Sequence, residues 1–266
     1  MYKIVFLDID GTLVNHEKKV SEGTKQAIKQ LKQNGIEVAL ATGRPPYHFT
    51  EIAEEIGLNS FVSLNGAYAC YQGKVIPQKS EISKDLLEKL MKHSSELGHP
   101  LTFSSHLKTV SNHKDHPEII KSFQDLKLDY CPEYQPQFWK EEVIYQAMVY
   151  CKQHEEGYYH EMIPELTFTR WHHLSMDVMS ADVSKASGIK AMLEYLGFSA
   201  KEAVAFGDGL NDKEMLTFVG MGVAMGNAHD EIKPYANMVT KSNEEDGIVH
   251  ALYELGLLTK NCTRSS

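Results

Sequence analysis

The chain has 266 residues, 42% of them hydrophobic and 24% charged, which is typical of a globular protein with one large domain or two ordinary ones. Its formal net charge of −9 argues against an extended surface for nucleic acid or anionic membranes, so we expect a small-molecule partner. Charge appears too early for a secretory signal, and no apolar run approaches the roughly 18 residues of a membrane span. The default prediction is a cytoplasmic location.

Strand-like and helix-like patterns alternate through the first 80 residues. The predicted elements are, in chain order, a strand at 3–7, a helix at 21–33, a strand at 36–42, a helix after Pro46 that stops before Gly57, a strand from Phe61 and a hairpin at 68–76. This alternation predicts an α/β fold: a doubly wound, Rossmann-like parallel sheet.

The pattern changes between residues 81 and 182, which contain a helix at 83–97, strands rich in Tyr and Val, and nine of the thirteen histidines. The first rhythm then returns, with a helix at 185–196, a strand at 202–208, a short helix, a strand at 221–226 and a closing helix around 248–255. We therefore predict a discontinuous core domain (1–80 and 183–266) and an inserted α+β domain (81–182). For its histidines, including His113 and His116, structural roles or substrate recognition are favoured over a metal site.

Three predicted strands of the core end in a polar side chain, namely Asp8, Thr42 and Asp208. Ligands of open parallel sheets bind beyond the carboxyl ends of the strands, so these groups are expected to converge. Four carboxylates and one amide would then lie close together: Asp8, Asp10, Asp208, Asp212 and Asn211. Such a cluster favours a hard divalent cation, and Mg²⁺ is preferred to zinc because no His or Cys joins it.

Two further segments carry groups suited to a phosphate. Thr42-Gly43-Arg44 ends a strand just ahead of a helix, where a hydroxyl and backbone N–H groups can face an anion. Lys185 opens another predicted helix, and its ammonium can neutralise a phosphoryl oxygen. A cation at the positive end of a helix is mildly unfavourable by itself, which indicates an anionic partner.

The haloacid dehalogenase-like superfamily of phosphatases has four ordered motifs, which this sequence resembles at Asp8-Ile9-Asp10-Gly11-Thr12, Thr42-Gly43-Arg44, Lys185 and Gly207-Asp208-Gly209-Leu210-Asn211-Asp212. The insertion, together with "SLNGA" at 63–67 and "DVSKASGI" at 182–189, is similar to the Cof-type branch with a type IIB α/β cap. The cap residues themselves carry little of the resemblance.

The resemblance implies a role for each matching residue. Asp8 would be the nucleophile that forms an aspartyl-phosphate, and Asp10 the general acid and then base. The implied Mg²⁺ ligands are the side chains of Asp8 and Asp208 and the backbone carbonyl of Asp10, with support from Asp212. The implied phosphoryl-binding groups are the backbone at Ile9 and the residues Thr42, Gly43, Lys185 and Asn211. Asn65 is typical of a turn, and its link to substrate contact or a cap hinge comes from the resemblance. Arg44 has two open interpretations, substrate contact or pairing with an acid.

The favoured function is a Mg²⁺-dependent phosphatase that hydrolyses a small phosphorylated metabolite, with sugar phosphates ahead of pyridoxal phosphate and nucleotide-like phosphates. One alternative is a phosphomutase with the same Asp8 and Asp10, which would form an isomer and not free phosphate. A second is a non-enzymatic phospho-receiver or metabolite sensor, which would carry a long-lived phosphate. The sequence makes no prediction of the oligomeric state.

Overall fold

The computed structural model describes residues 1–125 and 130–259. The described chain forms two compact units. The first, here termed the core unit, contains Met1–Arg44, His48–Pro77 and the chain from Ser184 onwards. The second, here termed the inserted unit, contains Gln78–Val183 together with the short segment Pro45–Tyr47.

The strands are, in chain order, β1 (Ile4–Leu7), β2 (Glu37–Ala41), β3 (Phe61–Ser63), β4 (Tyr68–Tyr71), β5 (Lys74–Val75), β6 (Leu101–Ser104), β7 (Thr109–Ser111), β8 (Glu133–Tyr134), β9 (Gln146–Tyr150), β10 (Leu166–His172), β11 (Ser175–Ser180), β12 (Ala203–Gly207), β13 (Met221–Ala224) and β14 (Met238–Val239). The α-helices are α1 (Glu22–Gln33), α2 (Thr50–Glu55), α3 (Lys84–Leu97), α4 (Pro117–Asp125), α5 (Phe138–Glu141), α6 (Glu156–Met162), α7 (Lys185–Leu196), α8 (Lys213–Phe218) and α9 (Gly247–Glu254). Within residues 1–125 and 130–259, no helix has the length and apolar character needed to cross a membrane.

The core unit is built on one sheet with the strand order β14-β13-β12-β1-β2-β3-β4-β5. Strands β14 to β3 run parallel, and β4 and β5 complete the sheet as an antiparallel hairpin. The chain starts in the middle of the sheet, extends it to one edge, and returns to build the other side from β12 onwards. The predicted α/β fold with a doubly wound parallel sheet is confirmed.

Both faces of this sheet are buried, which explains why β1 is apolar at every position. Val5 and Leu7 belong to the apolar cluster on one face, which includes buried residues of α1 and α9. Ile4 and Phe6 belong to the cluster on the opposite face, which includes buried residues of α7 and α8. The alternation of side chains along a strand thus places consecutive residues in two different cores.

Helix α7 begins and ends where its sequence contains capping residues. The Ser184 hydroxyl accepts a hydrogen bond from the N–H of Ser187, and the Ser187 hydroxyl lies 3.0 Å from the N–H of Ser184. Gly197 ends the helix in the left-handed conformation that glycine adopts without steric cost. The cap formed by Ser184 and Ser187 fixes the start of the helix, and with it the position of its first residue, Lys185.

The inserted unit contains a six-stranded sheet with the order β10-β11-β9-β6-β7-β8. Neighbouring strands are antiparallel except for β7 and β8, which run parallel. An apolar cluster joins Phe103, Val110 and Ala147 of the sheet to buried residues of α3, α5 and α6. This unit therefore has a mixed α and β composition and a core of its own.

Candidate active site

Three carboxylates meet beyond the carboxyl ends of the central strands. Asp8 follows β1, Asp208 follows β12, and Asp212 lies in the turn that leads to α8. One carboxylate oxygen from each of the three lies within 4.8 Å of the others. Among residues 1–125 and 130–259, no other group of three His, Cys, Asp or Glu side chains is arranged to hold a metal ion. His113 and His116 therefore belong to no such group among these residues.

Lys185 is buried between two of these carboxylates. Its Nζ donates to Asp8 Oδ1 and to Asp212 Oδ1, each at 2.6 Å, and only 1% of its side chain is exposed. Burial opposes the charge on Lys185, but the two carboxylates outweigh it and raise the pKa of the ammonium above its ordinary value. Lys185 therefore carries a positive charge beside Asp8.

Asp208 and Asp212 are held by further hydrogen bonds. The Thr12 hydroxyl donates to Asp208 Oδ1 at 2.6 Å. Asp212 Oδ2 accepts from the backbone N–H groups of Asp208 at 3.0 Å and Gly209 at 2.9 Å. Gly11 has a φ of 76°, and a Cβ atom at this residue would lie 2.1 Å from Asp208 Oδ2. Only glycine allows the turn after β1 to pass so close to this carboxylate.

The cluster carries more negative charge than its single lysine neutralises. Burial raises the pKa of Asp8 well above its ordinary value, and the nearby Asp212 and Asp208 add to that rise while Lys185 opposes it. Burial, reinforced by Asp212, likewise raises the pKa of Asp208 to about 6 although the Thr12 hydroxyl lowers it. Three buried or half-buried carboxylate oxygens that repel one another are the donor set that a hard divalent cation requires. The residues present therefore fit a metal ion at this place.

Asp10 lies outside this cluster, in contact with two cations. Arg44 Nε donates to Asp10 Oδ2 at 2.7 Å and Arg44 Nη2 donates to Asp10 Oδ1 at 2.6 Å. Lys18 Nζ donates to Asp10 Oδ1 at 2.8 Å. Burial opposes the ionisation of Asp10, but Arg44 and Lys18 lower its pKa to about 2. Arg44 is thus paired with an acid in this structure.

The predicted phosphate-binding residues form a second group beside the cluster. The Thr42 hydroxyl accepts from the N–H of Arg44 at 3.1 Å, and its carbonyl accepts from the N–H of Asn65 at 3.1 Å. Asn211 Nδ2 donates to Asn65 Oδ1 at 2.9 Å. A Cβ atom at Gly43 would lie 2.9 Å from Asn65 Oδ1, so the backbone of Gly43 is also next to the Asn65 side chain. Motifs that are far apart in the sequence thus share one small volume.

Asn65 owes its position to an unusual backbone. Leu64, Asn65 and Gly66 have φ values of 51°, 52° and 105°, three consecutive residues in the left-handed region. Non-glycine residues rarely adopt such values, and they persist only where the surrounding structure imposes them. Gly66 is packed so tightly that a Cβ atom there would lie 1.9 Å from the carbonyl oxygen of Ser184. The segment that contains Asn65 therefore packs directly against the start of α7.

Three residues at this site have no role predicted from the sequence. Thr12 donates a hydrogen bond to Asp208, and Lys18 donates one to Asp10. Asn227 Nδ2 donates to the carbonyl oxygen of Gly11 at 2.8 Å. Asn227 follows the end of β13, so the strand-end rule that found Thr42 would have found it too. Lys18 lies in the loop between β1 and α1, where no sequence pattern marks it. Ile9 packs its side chain into the core, which leaves its backbone as the group near Asp8.

A profile of the haloacid dehalogenase-like hydrolases matches residues 5–252, a span that includes every residue of this site. The chain belongs to the haloacid dehalogenase-like hydrolases. The chain is 41% identical to a Bacillus subtilis (strain 168) protein named "Putative phosphatase YkrA" over 256 residues. This match covers 96% of this chain and 98% of that protein.

Two solved structures resemble the chain over nearly its whole length. A hypothetical protein from Geobacillus kaustophilus HTA426 is 43% identical, with a TM-score of 0.91 over 97% of this chain and 100% of that one. BT4131, described as a haloacid dehalogenase subclass IIB sugar phosphatase, is 28% identical, with a TM-score of 0.85 over 96% of this chain and 100% of that one. The chain is accordingly a phosphatase, and the resemblance to the Cof-type branch of subclass IIB is confirmed.

Proposed function

We propose that this phosphatase hydrolyses a small phosphorylated metabolite through an aspartyl-phosphate on Asp8. The contact of Lys185 Nζ with Asp8 Oδ1 at 2.6 Å carries the proposal. A carboxylate attacks a phosphate dianion only when positive charge offsets their repulsion, and Lys185 brings that charge to the attacking carboxylate. Thr42, Gly43, Asn211, Asn65 and the backbone at Ile9 are proposed to hold the phosphoryl oxygens.

The reaction has two steps. In the first, an oxygen of Asp8 forms a bond to phosphorus, the bond from phosphorus to the substrate oxygen breaks, and Asp10 gives that oxygen a proton. In the second, Asp10 takes a proton from water, the water oxygen bonds to phosphorus, and the bond to Asp8 breaks. Free phosphate and an alcohol are released, and both aspartates return to their starting states.

The contacts of Asp10 specify what the first step requires. With Arg44 and Lys18 bound to it, Asp10 is ionised, which is the form that accepts a proton in the second step. To donate a proton in the first step, Asp10 must loosen these contacts. Asp10 is half-exposed at the edge of the cluster, where such a change does not disturb the core.

A divalent cation is proposed to bind Asp8 and Asp208, together with the backbone carbonyl of Asp10 and with support from Asp212. Mg²⁺ is the proposed ion because the donors are oxygens and because it retains open positions for phosphate oxygens. When bound, it supplies positive charge that offsets the repulsion between the phosphate and the carboxylates. Arg44 is proposed to position Asp10.

The inserted unit is proposed to be the cap domain, with boundaries near residues 81 and 182. Sugar phosphates are the first candidates for the substrate because BT4131, which resembles the chain over its length, is described as a sugar phosphatase. The net charge of −9 supports a small-molecule partner and not nucleic acid. The unpaired Cys70, Cys131 and Cys151 are typical of a reducing compartment, which supports a cytoplasmic location.

The decisive experiment is a screen of phosphorylated metabolites with Mg²⁺, scored by released phosphate. Asp8→Asn removes the nucleophile and is expected to abolish release while circular dichroism and the melting temperature show a folded protein. Asp10→Asn is expected to lower kcat by about 10²- to 10⁴-fold. An active Asp8→Asn enzyme would contradict the mechanism. Formation of an isomer in place of free phosphate would identify a phosphomutase, and a long-lived phosphoprotein would identify a receiver.

A further inference from the structure

The turn that follows β1 is held by two asparagines from other loops of the core unit. Asn227 Nδ2 donates to the carbonyl oxygen of Gly11 at 2.8 Å, and Asn243 Nδ2 donates to the carbonyl oxygen of Val14 at 2.9 Å. Asn227 lies between β13 and β14, and Asn243 lies between β14 and α9. Because β1, β12, β13 and β14 run parallel, these loops lie at the carboxyl end of the sheet, as Asp8 does. We term Asn227 and Asn243 the asparagine pair.

The two members of the asparagine pair contact each other. The backbone N–H of Asn243 donates to Asn227 Oδ1 at 3.0 Å. The amide oxygen of Asn227 is thus an acceptor and its nitrogen faces the Gly11 carbonyl, so these two bonds define the orientation of the side chain. A third bond joins the same loops, from the backbone N–H of His16 to Glu244 Oε1 at 2.8 Å. The pair therefore acts on the turn as one connected unit.

The turn held by the pair carries two residues of the active site. Gly11 lies between Asp10 and Thr12, and Thr12 donates to Asp208. Glycine has more backbone freedom than other residues, and only glycine fits at this position, so the turn gains rigidity from the bond to the Gly11 carbonyl. The asparagine pair therefore restrains the backbone directly after Asp10.

The pair contributes little to stability. Asn227 is exposed, and water competes for both groups of its amide, so its bond to Gly11 adds little to the free energy of folding. Asn243 Oδ1 is buried and has no hydrogen-bond partner in the described part of the chain, which is unfavourable. Two amides that stabilise the fold so little, and that converge on the residues after a proposed acid, indicate a role in catalysis.

We propose that Asn227 and Asn243 are positioning residues for Asp10, which hold the backbone after it so that the Asp10 carboxyl can reach the leaving oxygen of the substrate. Neither asparagine is proposed to touch the substrate. The inference rests on the proposed phosphatase function and deepens it, because it names residues that act through the proton donor of the first step.

Two aryl esters of similar shape test this role, because they differ in how much the first step depends on a proton. The phenoxide released from phenyl phosphate is the more basic and needs the proton of Asp10, whereas p-nitrophenoxide is a stable anion that leaves without it. The ratio kcat/KM reports the first step, in which the phenol is released. In Asn227→Ala we expect kcat/KM to fall about 10-fold for phenyl phosphate and about 2-fold or less for p-nitrophenyl phosphate.

The melting temperature separates positioning from stability. Asn227→Ala should change it by about 2 °C or less, because the residue is exposed. Asn59→Ala is the matched control, since Asn59 is also an exposed asparagine of the core unit but precedes β3, at the amino end of the sheet. This control should alter neither kcat/KM nor the melting temperature.

Two further variants examine the contacts one at a time. Asn227→Asp keeps the oxygen that accepts from Asn243 and replaces the nitrogen that donates to Gly11. It should lower kcat/KM for phenyl phosphate at least as much as Asn227→Ala does, and Asn59→Asp controls for the added charge. In the double variant Asn227→Ala/Asn243→Ala, the loss should be smaller than the product of the two single losses, because both residues restrain one turn.

Hydrogen exchange provides a measurement that does not depend on activity. The Val14 N–H donates to the carbonyl oxygen of Ile9 at 3.1 Å, within the turn that the pair holds. In Asn227→Ala we expect this amide to exchange about 10-fold faster than in the wild type, while Asn59→Ala leaves its exchange unchanged. Wild-type exchange at Val14 in Asn227→Ala would overturn the proposal.

The kinetic outcomes distinguish this inference from the proposed function. Asp10→Asn should lower kcat/KM more for phenyl phosphate than for p-nitrophenyl phosphate. If it does, equal falls on both esters in Asn227→Ala, or no fall on phenyl phosphate, would overturn the positioning role alone. If Asp10→Asn lowers both equally, the assignment of Asp10 as proton donor fails and the inference fails with it. A wild type that releases phosphate from no ester would overturn the proposed function itself.

Discussion

Arg44 binds both carboxylate oxygens of Asp10 in a two-point contact, with distances of 2.7 Å and 2.6 Å. Arg44 also donates through Nη1 to the carbonyl oxygen of His48, so the guanidinium has a fixed orientation. A planar guanidinium with parallel donors holds a carboxylate in one geometry, which a lysine cannot reproduce. Asp10 is therefore oriented by a residue 34 positions away in the sequence.

Arg44→Ala is expected to lower kcat by about 10- to 100-fold because Asp10 loses the contacts that keep it ionised and in position to accept a proton in the second step. The kcat of Arg44→Lys should lie between those of the wild type and Arg44→Ala, because lysine restores the charge but not the two-point contact. Lys18→Ala removes a half-exposed cation with one contact and should have the smaller effect. Steady-state kinetics on one substrate measure all three variants. Wild-type kcat in Arg44→Ala would show that Asp10 needs no such support.

Lys185→Met should destabilise the fold by about 3–5 kcal/mol because it leaves Asp8 and Asp212 buried beside each other without a cation. Lys190→Met, on the exposed side of the same helix, is the control and should change the free energy of unfolding by about 0.5 kcal/mol or less. Urea unfolding measures both. Added Mg²⁺ should recover part of the loss in Lys185→Met, and no recovery at any concentration would contradict a cation site among these carboxylates.

Asp208 predicts a dependence of stability on pH. Its pKa is about 6 in the folded protein and about 3.9 in an unfolded chain, so the folded state holds this proton more tightly. Without divalent ions, the contribution of Asp208 to the free energy of unfolding should therefore fall as the pH rises from about 4 to about 6. Asp208→Asn should flatten the profile in this window, as measured by urea unfolding at successive pH values. Profiles of the wild type and of Asp208→Asn that run parallel across the window would refute the assignment.

Gly66→Ala tests the left-handed segment beside α7. An added Cβ would collide with the Ser184 carbonyl. We therefore expect the free energy of unfolding to fall by about 1–3 kcal/mol more than the backbone conformation alone would cause. Gly35→Ala is the matched control because Gly35 has a φ of 75° and open space around its Cβ position. Its cost should be about 1–2 kcal/mol, from the conformation alone. Equal losses in the two variants would show that the collision is relieved by a small shift.

Much of the core followed from local patterns. The helix predicted at 185–196 is found with those bounds. Its capping residues lie directly beside it in the sequence, Ser184 before the first residue and Gly197 after the last. The convergence of Asp8 and Asp208 followed from the rule for parallel strand ends. The roles assigned to these residues stay predictions.

Other features could not be read from local patterns. The pairing of Asp10 with Arg44 and Lys18 depends on how three loops fold over one another. The close approach of Gly66 to the Ser184 carbonyl depends on how two segments that are distant in the sequence pack together. Neither relationship leaves a periodic trace in the sequence, because each joins residues whose separation is set only by the tertiary fold.

The segment Pro45–Tyr47 clusters with the inserted unit although the residues on both sides of it cluster with the core unit. The polypeptide therefore crosses from one unit to the other four times, after Arg44, Tyr47, Pro77 and Val183. An excised module of residues 78–183 would leave behind the Tyr47 hydroxyl that Thr109 contacts. A chimera that exchanges this module between relatives must also exchange the three residues that follow Arg44.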